Sequence, residues 1–358
     1  MNVSTRIFPD PRHRCDVPVT EYTLANDNGI SVSAINYGAV ITDVRMPDRE
    51  GNVESIVLRF PDLEGYLAHG GLYLGAMVGR TAGRIDGASF DLDGTTVSLP
   101  QNDGAHCLHG GGEFSTALWD AEVFDAPDPS VCEHRQSVAV TFLYTSPAGS
   151  NGFPGEVRAE VTYRLDNQNR FWILCDAVSD ADTVLDLTNH TYFNLSGNGT
   201  RDILSQVLIA DADRYLELRD DLIPTGRVLP VDGTAFDFRI GECFSRGQNS
   251  GDPQNVMVGG YDHPILFREE GNRSLRMHDP VSGRAVTLTT DAPAFVLYTC
   301  NRPDRTVETA DGPLVPYAGA ALEAQGLPDA VHRPDWPSPI LKKGEEFRRT
   351  TSWTFALL

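Results

Sequence analysis

Val157-Arg-Ala-Glu-Val-Thr-Tyr-Arg-Leu-Asp-Asn-Gln-Asn-Arg-Phe-Trp-Ile-Leu-Cys175 carries apolar residues at every second position as far as Leu165. The run breaks at Asp166 to Arg170, and the same period resumes at Phe171, Ile173 and Cys175. Successive side chains leave a strand on opposite sides, so a period of two marks a strand with one buried face. The polar break between two such runs reads as a turn, and the whole stretch as a strand pair.

The same rhythm recurs outward from this pair. In Ser89 to Leu99, Phe90, Leu92, Val97 and Leu99 alternate with polar residues around Asp93-Gly94, a dipeptide suited to the positive φ angles of a hairpin turn. Near the end of the chain, Phe347, Thr351, Trp353, Phe355 and Leu357 fall on one face of a strand, with Arg348, Thr350, Ser352 and Thr354 on the other. Glycine (33) and proline (23) punctuate the chain at short intervals, the spacing of many short strands. Helical periodicity is confined to two modest stretches, Pro61 to Leu67 and Ala318 to Ala324. The fold class is therefore all-β, a large antiparallel β-sandwich. At about 150 residues per domain, 358 residues suggest two domains. Strand-like patterning without a linker favours one domain over residues 1–358, with polar Gly241 to Gly251 as a mobile loop.

Charge narrows the function classes. Asp and Glu number 50 against 29 Lys and Arg, a net charge of −21, which repels phosphate backbones and anionic lipid surfaces. No nucleic-acid or membrane partner is expected. The first twenty residues lack a signal-peptide core and no run approaches 18 apolar residues, so a cytoplasmic protein is expected. Six scattered cysteines without a CxxC pair fit reduced thiols.

Three segments could carry chemistry. His109 lies in Leu108-His-Gly-Gly-Gly112, where glycines let the backbone approach a ligand. His190 and Tyr192 lie in Leu187-Thr-Asn-His-Thr-Tyr-Phe-Asn-Leu-Ser-Gly197, where rings for C–H faces stand beside hydrogen-bonding groups, as a sugar pocket requires. Glu323 sits among Ala320, Ala321, Leu322 and Ala324, and partial burial would raise its pKa toward that of a general base. Asp262 stands in Gly259-Gly-Tyr-Asp-His-Pro264. A metal site at His106-x-x-His109 is disfavoured, because neither an HExxH motif nor paired cysteines supply further ligands. Gly79-Arg-Thr-Ala-Gly83 lacks the lysine and glycine pattern of a phosphate loop.

In order along the chain, these segments resemble the aldose 1-epimerases, also called galactose mutarotases. The likeness runs through Asn36-Tyr-Gly-Ala-Val-Ile-Thr-Asp-Val-Arg-Met-Pro-Asp48, Gly79-Arg-Thr-Ala-Gly-Arg-Ile85, Leu108-His-Gly-Gly111, Leu187 to Leu195, Asp221 to Gly226 with Gly233 to Phe238, Tyr261-Asp-His263, and Leu322-Glu-Ala-Gln with Leu327-Pro-Asp-Ala330. The resemblance implies a galactose mutarotase-like supersandwich, no cofactor and no metal, and interconversion of the α and β anomers of a free monosaccharide by a monomer or homodimer. It makes Glu323 the general base, His190 the general acid, and Arg84, His109, Asp262 and Tyr192 substrate-binding residues. Rival readings on the same fold are a glycoside hydrolase using Asp262 and Glu323, or a non-catalytic sugar-binding protein. The chain departs from the family pattern at Gly83 and His106, where Asn is common, and at Val296, where Gln is common. At Gly83 and Val296 two amides for sugar hydroxyls are thereby missing, which implies altered or broadened sugar specificity.

Overall fold

The computed structural model describes residues 1–14, 17–124 and 137–358. The alternating run forms strands Val157–Asp166 and Arg170–Ser179, paired antiparallel with Val161 opposite Cys175 and Leu165 opposite Phe171. Val157, Ala159, Val161, Tyr163 and Leu165 are buried, whereas Arg158 and Glu160 face solvent. Asp93 and Gly94 both take positive φ between Ser89–Leu92 and Thr95–Ser98, making the expected hairpin.

Among the described residues, the sequence-distant strands join into three main antiparallel sheets. The largest has nine strands in the order Asp120–Phe124, Ser137–Ser146, Val157–Asp166, Arg170–Ser179, Glu346–Leu357, Arg284–Thr290, Ser274–His278, Val207–Ala210, Glu242–Cys243. Residues 346–357 follow every other strand of that sheet in the sequence, yet lie at its centre. A six-stranded sheet runs Tyr192–Phe193, Ala320–Gln325, Ala294–Tyr298, Asp262–Phe267, Ala212–Leu218, Pro224–Pro230. A five-stranded sheet takes the consecutive strands Asn2–Ile7, Thr20–Ala25, Ser31–Ile35, Val40–Pro47 and Val53–Ser55 in order. Val161, Ile173, Trp353 and Leu288 of the large sheet share one hydrophobic cluster with Ile265, Phe295, Leu322 and Ala324 of the six-stranded sheet, the interior expected of a sandwich.

Two expectations need correction. Ala318 to Ala324 does not form a helix: Ala320–Gln325 is a strand, bonded to Tyr192–Phe193 on one side and Ala294–Tyr298 on the other. Its alanines suit a helix by propensity, but sheet pairing on both edges and burial of both faces override that weak preference. The stretch Gly241 to Gly251 is also more ordered in its backbone pattern than a plain loop. It holds the edge strand Glu242–Cys243 and the helical turn Ser245–Gln248, with Gly247 so close to the Tyr261 ring that a Cβ would stand 2.3 Å from it. The other helix candidate forms as Leu63–Ala68, with the Asp62 side chain accepting from the Gly65 N–H. Cys107, Cys175, Cys243 and Cys300 are free thiols; Cys15 and Cys132 lie outside the described residues. Among the described residues, no helix is long and apolar enough to cross a membrane.

Candidate active site

Strand alternation places the site. In Ala320–Gln325, Ala320, Leu322 and Ala324 point into the sandwich core, so Ala321, Glu323 and Gln325 must point to the other face. The neighbouring register sets Val296 opposite Glu323 and Tyr298 opposite Ala321, then Pro264 opposite Val296 and Asp262 opposite Tyr298. That face of the six-stranded sheet forms one wall of a cavity of about 210 Å³.

Loops from the first third of the chain supply the facing wall. His109, Gly110, Gly111 and Gly112 have consecutive positive φ angles, a turn tight enough to set Gly110 against the Gly79–Arg80 backbone, where a Cβ would meet it at 2.5 Å. The His109 N–H bonds to Gly83 O at 2.9 Å, and the Gly83 N–H donates to His109 Nδ1 at 3.2 Å. Arg84 pairs in register with Leu108, and its Nε donates to Asp103 Oδ2 at 2.6 Å. His190 is fixed through its backbone, donating to Ala76 O at 2.9 Å and accepting from the Gly75 N–H at 3.0 Å.

All six residues singled out in the sequence, Arg84, His109, His190, Tyr192, Asp262 and Glu323, line this cavity. His190 Nε2 lies 3.4 Å from Glu323 Oε1, with both residues almost fully buried. The His190 ring stands edge-on to His109 with centroids 5.3 Å apart, and packs on Tyr192 at 4.9 Å. The Tyr192 hydroxyl donates to Leu72 O at 3.0 Å, so that side chain offers its ring rather than its hydroxyl. Beneath Asp262, its backbone N–H donates to His263 Nδ1, and Gln254 ties His263 to the backbone of Leu218.

Burial controls the electrostatics. Desolvation pushes the Glu323 carboxyl well above its ordinary range; Asp262 and Asp186 add to the shift and Arg84 opposes it. Desolvation raises Asp262 as well, again opposed by Arg84. Both imidazoles move the other way: burial takes His190 down to about 4, and burial, His190 and Arg84 hold His109 well below its ordinary value. Near neutral pH the imidazoles are uncharged, and burial favours the protonated, neutral form of the Glu323 carboxyl beside them. Three buried atoms here have no hydrogen-bond partner: His190 Nδ1, Glu323 Oε2 and Gln325 Oε1.

His106 does not join this group. Its Nδ1 accepts from the Gly87 N–H and its ring lies between Asp86 and Asp221, so His106 and His109 do not converge on a common ligand. His109, His190 and Glu323 each offer one ligand atom within 4.8 Å of the others, a spacing that would suit a divalent cation were all three atoms lone-pair donors. The Gly83 bond to His109 Nδ1 instead puts the proton of the neutral ring on Nε2, making that nitrogen a hydrogen-bond donor. The donor set suits hydroxyl oxygens better than a metal. A wider cavity of about 340 Å³, lined by Asp186, Asp329 and Arg349, has no imidazole in its wall and so lacks a group that exchanges protons near neutrality.

Tyr73, Tyr298, Leu218, Leu222 and Gln325 also line the site and were not singled out in the sequence. Gln325 had a signal: it stands two positions after Glu323, on the same face of a strand. Reading that stretch as a helix turns it away.

Residues 20–354 match the family model described as Aldose 1-epimerase. The chain is 36% identical over 343 residues to the galactose mutarotase of Rattus norvegicus, covering 95% of this chain and 94% of that one. It is 33% identical over 361 residues to the aldose 1-epimerase of Escherichia coli strain K12, covering 99% of each. The crystal structure of galactose 1-epimerase from Lactobacillus acidophilus NCFM superposes with a TM-score of 0.84 at 29% identity, covering 99% of this chain and 98% of that one.

Proposed function

The chain belongs to the aldose 1-epimerase family, an isomerase family, and from that premise we propose that it interconverts the anomers of a free aldose with Glu323 as general base and His190 as general acid. The observation that carries this reading is the buried contact of 3.4 Å between the carboxyl and the imidazole inside a cavity. Mutarotation cleaves no glycosidic bond, so it needs only two groups that exchange protonation states.

In ring opening, Glu323 takes the proton of the anomeric hydroxyl as the bond between C1 and the ring oxygen breaks. His190 protonates the departing ring oxygen, and C1 becomes a carbonyl. Rotation about C1–C2 presents the other carbonyl face. Ring closure then returns the proton from the ring hydroxyl to His190 and from Glu323 to the carbonyl oxygen, with no net consumption of protons. The neutral pair favoured by burial is the state that follows opening and precedes closure. Opening starts from the same pair after one proton has moved from Glu323 to His190.

The remaining residues bind hydroxyls. Arg84, anchored at Nε by Asp103, keeps its terminal nitrogens for the sugar; His109 donates from Nε2 toward the ring oxygen; Asp262 accepts; and Tyr192 covers a C–H face. The whole chain acts as one domain, since these groups come from positions 84 to 323. Hydrolysis by an Asp262 and Glu323 pair is the weaker reading, because the contact partner of Glu323 is an imidazole. With Gly83 and Val296 contributing no side-chain amide, the enzyme accepts several aldoses. Polarimetry of freshly dissolved α-galactose, α-glucose and an aldopentose tests both points. Acceleration lost in Glu323→Gln and His190→Asn is the expected result. No acceleration of any aldose would remove the epimerase reading, and exclusive preference for galactose would remove the broadened specificity.

A further inference from the structure

We propose that Gln325 is a sugar-hydroxyl ligand of this cavity and helps to set which aldose it accepts, an inference that rests on the epimerase reading above. Gln325 is fully buried, at 0% exposure, and lines the cavity. Its Oε1 has no partner, and its Nε2 reaches the neighbouring Gly326 O only at a long 3.4 Å. An unpaired buried carboxamide oxygen is costly in a folded protein and is satisfied when a ligand donates to it.

The surroundings leave that place open. A Cβ on Gly83 would stand 3.3 Å from Gln325 Nε2 and 2.9 Å from the Pro328 ring, so the glycine gives both side chains their room. Val296, opposite Glu323 on the adjoining strand, contributes no polar atom. Packed with Pro328 against Gly83, the carboxamide supplies a side-chain hydrogen-bonding group to this part of the cavity wall.

Spacing indicates which hydroxyl it meets. Glu323 and Gln325 lie two residues apart on one strand face, about 7 Å between backbones at the usual rise. Neighbouring hydroxyls of a pyranose are much closer than this. With the anomeric hydroxyl at Glu323, the carboxamide faces the far side of the ring, at C3 or C4, rather than C2.

The test is anomerisation kinetics of the wild type and Gln325→Met on glucose and its 2-, 3- and 4-deoxy derivatives, with a thermal melt of each protein. A lost neutral hydrogen bond should raise KM for glucose about 3–10-fold with kcat nearly unchanged. The penalty should persist with 2-deoxyglucose and vanish with the 3- or the 4-deoxy sugar. The melting temperature should hold or rise, because the unpaired oxygen is gone; a purely structural glutamine would instead lower it and leave KM alone. If Gln325→Met does not fold, Gln325→Asn, which withdraws the amide by one methylene, is carried through the same cycle. An unchanged KM, or an equal penalty on every deoxy sugar, overturns the proposal. Failure of the wild type to accelerate any aldose is a different result, and sinks the epimerase reading itself.

Discussion

Two buried polar clusters in this molecule look alike by composition and differ in completeness. Around Arg80, fully buried, Nε donates to Ser146 Oγ, Nη1 to Pro154 O and Gly155 O, and Nη2 to Ser146 O and Pro147 O. All five donors of the guanidinium are used. Ser146 in turn donates to Glu113 Oε1, which accepts from the Tyr144 hydroxyl as well; beyond the guanidinium, Glu113 Oε2 is buried without a partner, but Glu113 does not line the cavity. Around Glu323, by contrast, His190 Nδ1, Glu323 Oε2 and Gln325 Oε1 are buried and unpaired. A saturated guanidinium, all of whose partners but one are backbone carbonyls, fixes chain segments, whereas unpaired atoms that line a cavity hold hydrogen-bonding capacity for something that enters.

The comparison breaks or sharpens by experiment. Glu323→Gln should have the largest effect, reducing catalysed anomerisation by on the order of 10²–10⁴-fold, while the melting temperature stays level or rises. Burial raises this carboxyl above its unfolded value, so the stability it contributes is present at low pH and lost as pH rises through the folded pKa. The advantage of the glutamine variant should therefore grow toward alkaline pH. Melts from pH 5 to 9 check this, and a less stable variant at high pH would contradict it.

Arg80→Met should act in the opposite sense. Stranding the carbonyls of Ser146, Pro147, Pro154 and Gly155 should cost about 3–5 kcal/mol of stability, read by urea denaturation, with kcat of the folded fraction within a few-fold of wild type. A large kcat defect in folded Arg80→Met would blur the distinction between the clusters.

The pH profile of kcat/KM comes next. The proposed mechanism requires one proton on the Glu323 and His190 pair. Activity should be level near neutrality and fall roughly tenfold per unit below about 4, where His190 gains a proton. It should also decline as pH rises through the raised pKa of the Glu323 carboxyl. An acid limb centred near 6.5 would show that His190 is not desolvated in the free enzyme. The smallest effect belongs to Asp103→Asn. Asp103 is 41% exposed, and its ion pair with Arg84 is worth less than about 1 kcal/mol. KM should rise less than about 5-fold, with kcat unchanged.

The fold was legible wherever one strand face meets water. Val157 to Cys175 alternates because Arg158 and Glu160 are solvated, and the hairpin at Asp93-Gly94 announces itself through residues that tolerate positive φ. Ala320 to Gln325 has no solvated face, so its alternation separates core from cavity, and no polar-apolar rhythm records that division cleanly. The alanines of this stretch suit a helix by propensity, and Gln325, read only as the last residue of Leu322-Glu-Ala-Gln, carries no role without the strand geometry. Reading it as a helix would put residues 323 and 325 on different sides, whereas a strand puts them together. The imidazoles and acids were legible as residue types in unusual company. The contact between His190 and Glu323 joins positions 133 apart, which no local pattern encodes. His106 shows the converse: spacing alone paired it with His109, but Asp86 and Asp221 hold it elsewhere.

The central place of Glu346–Leu357 also bears on how the protein is made. The strand bridges Arg170–Ser179 and Arg284–Thr290, so without it the large sheet would be two unjoined pieces, each with an open hydrogen-bonding edge. Those edges are templates for pairing with another nascent chain until residues 346–357 leave the ribosome. A ribosome stalled before that point would release an aggregation-prone product rather than a weakened enzyme.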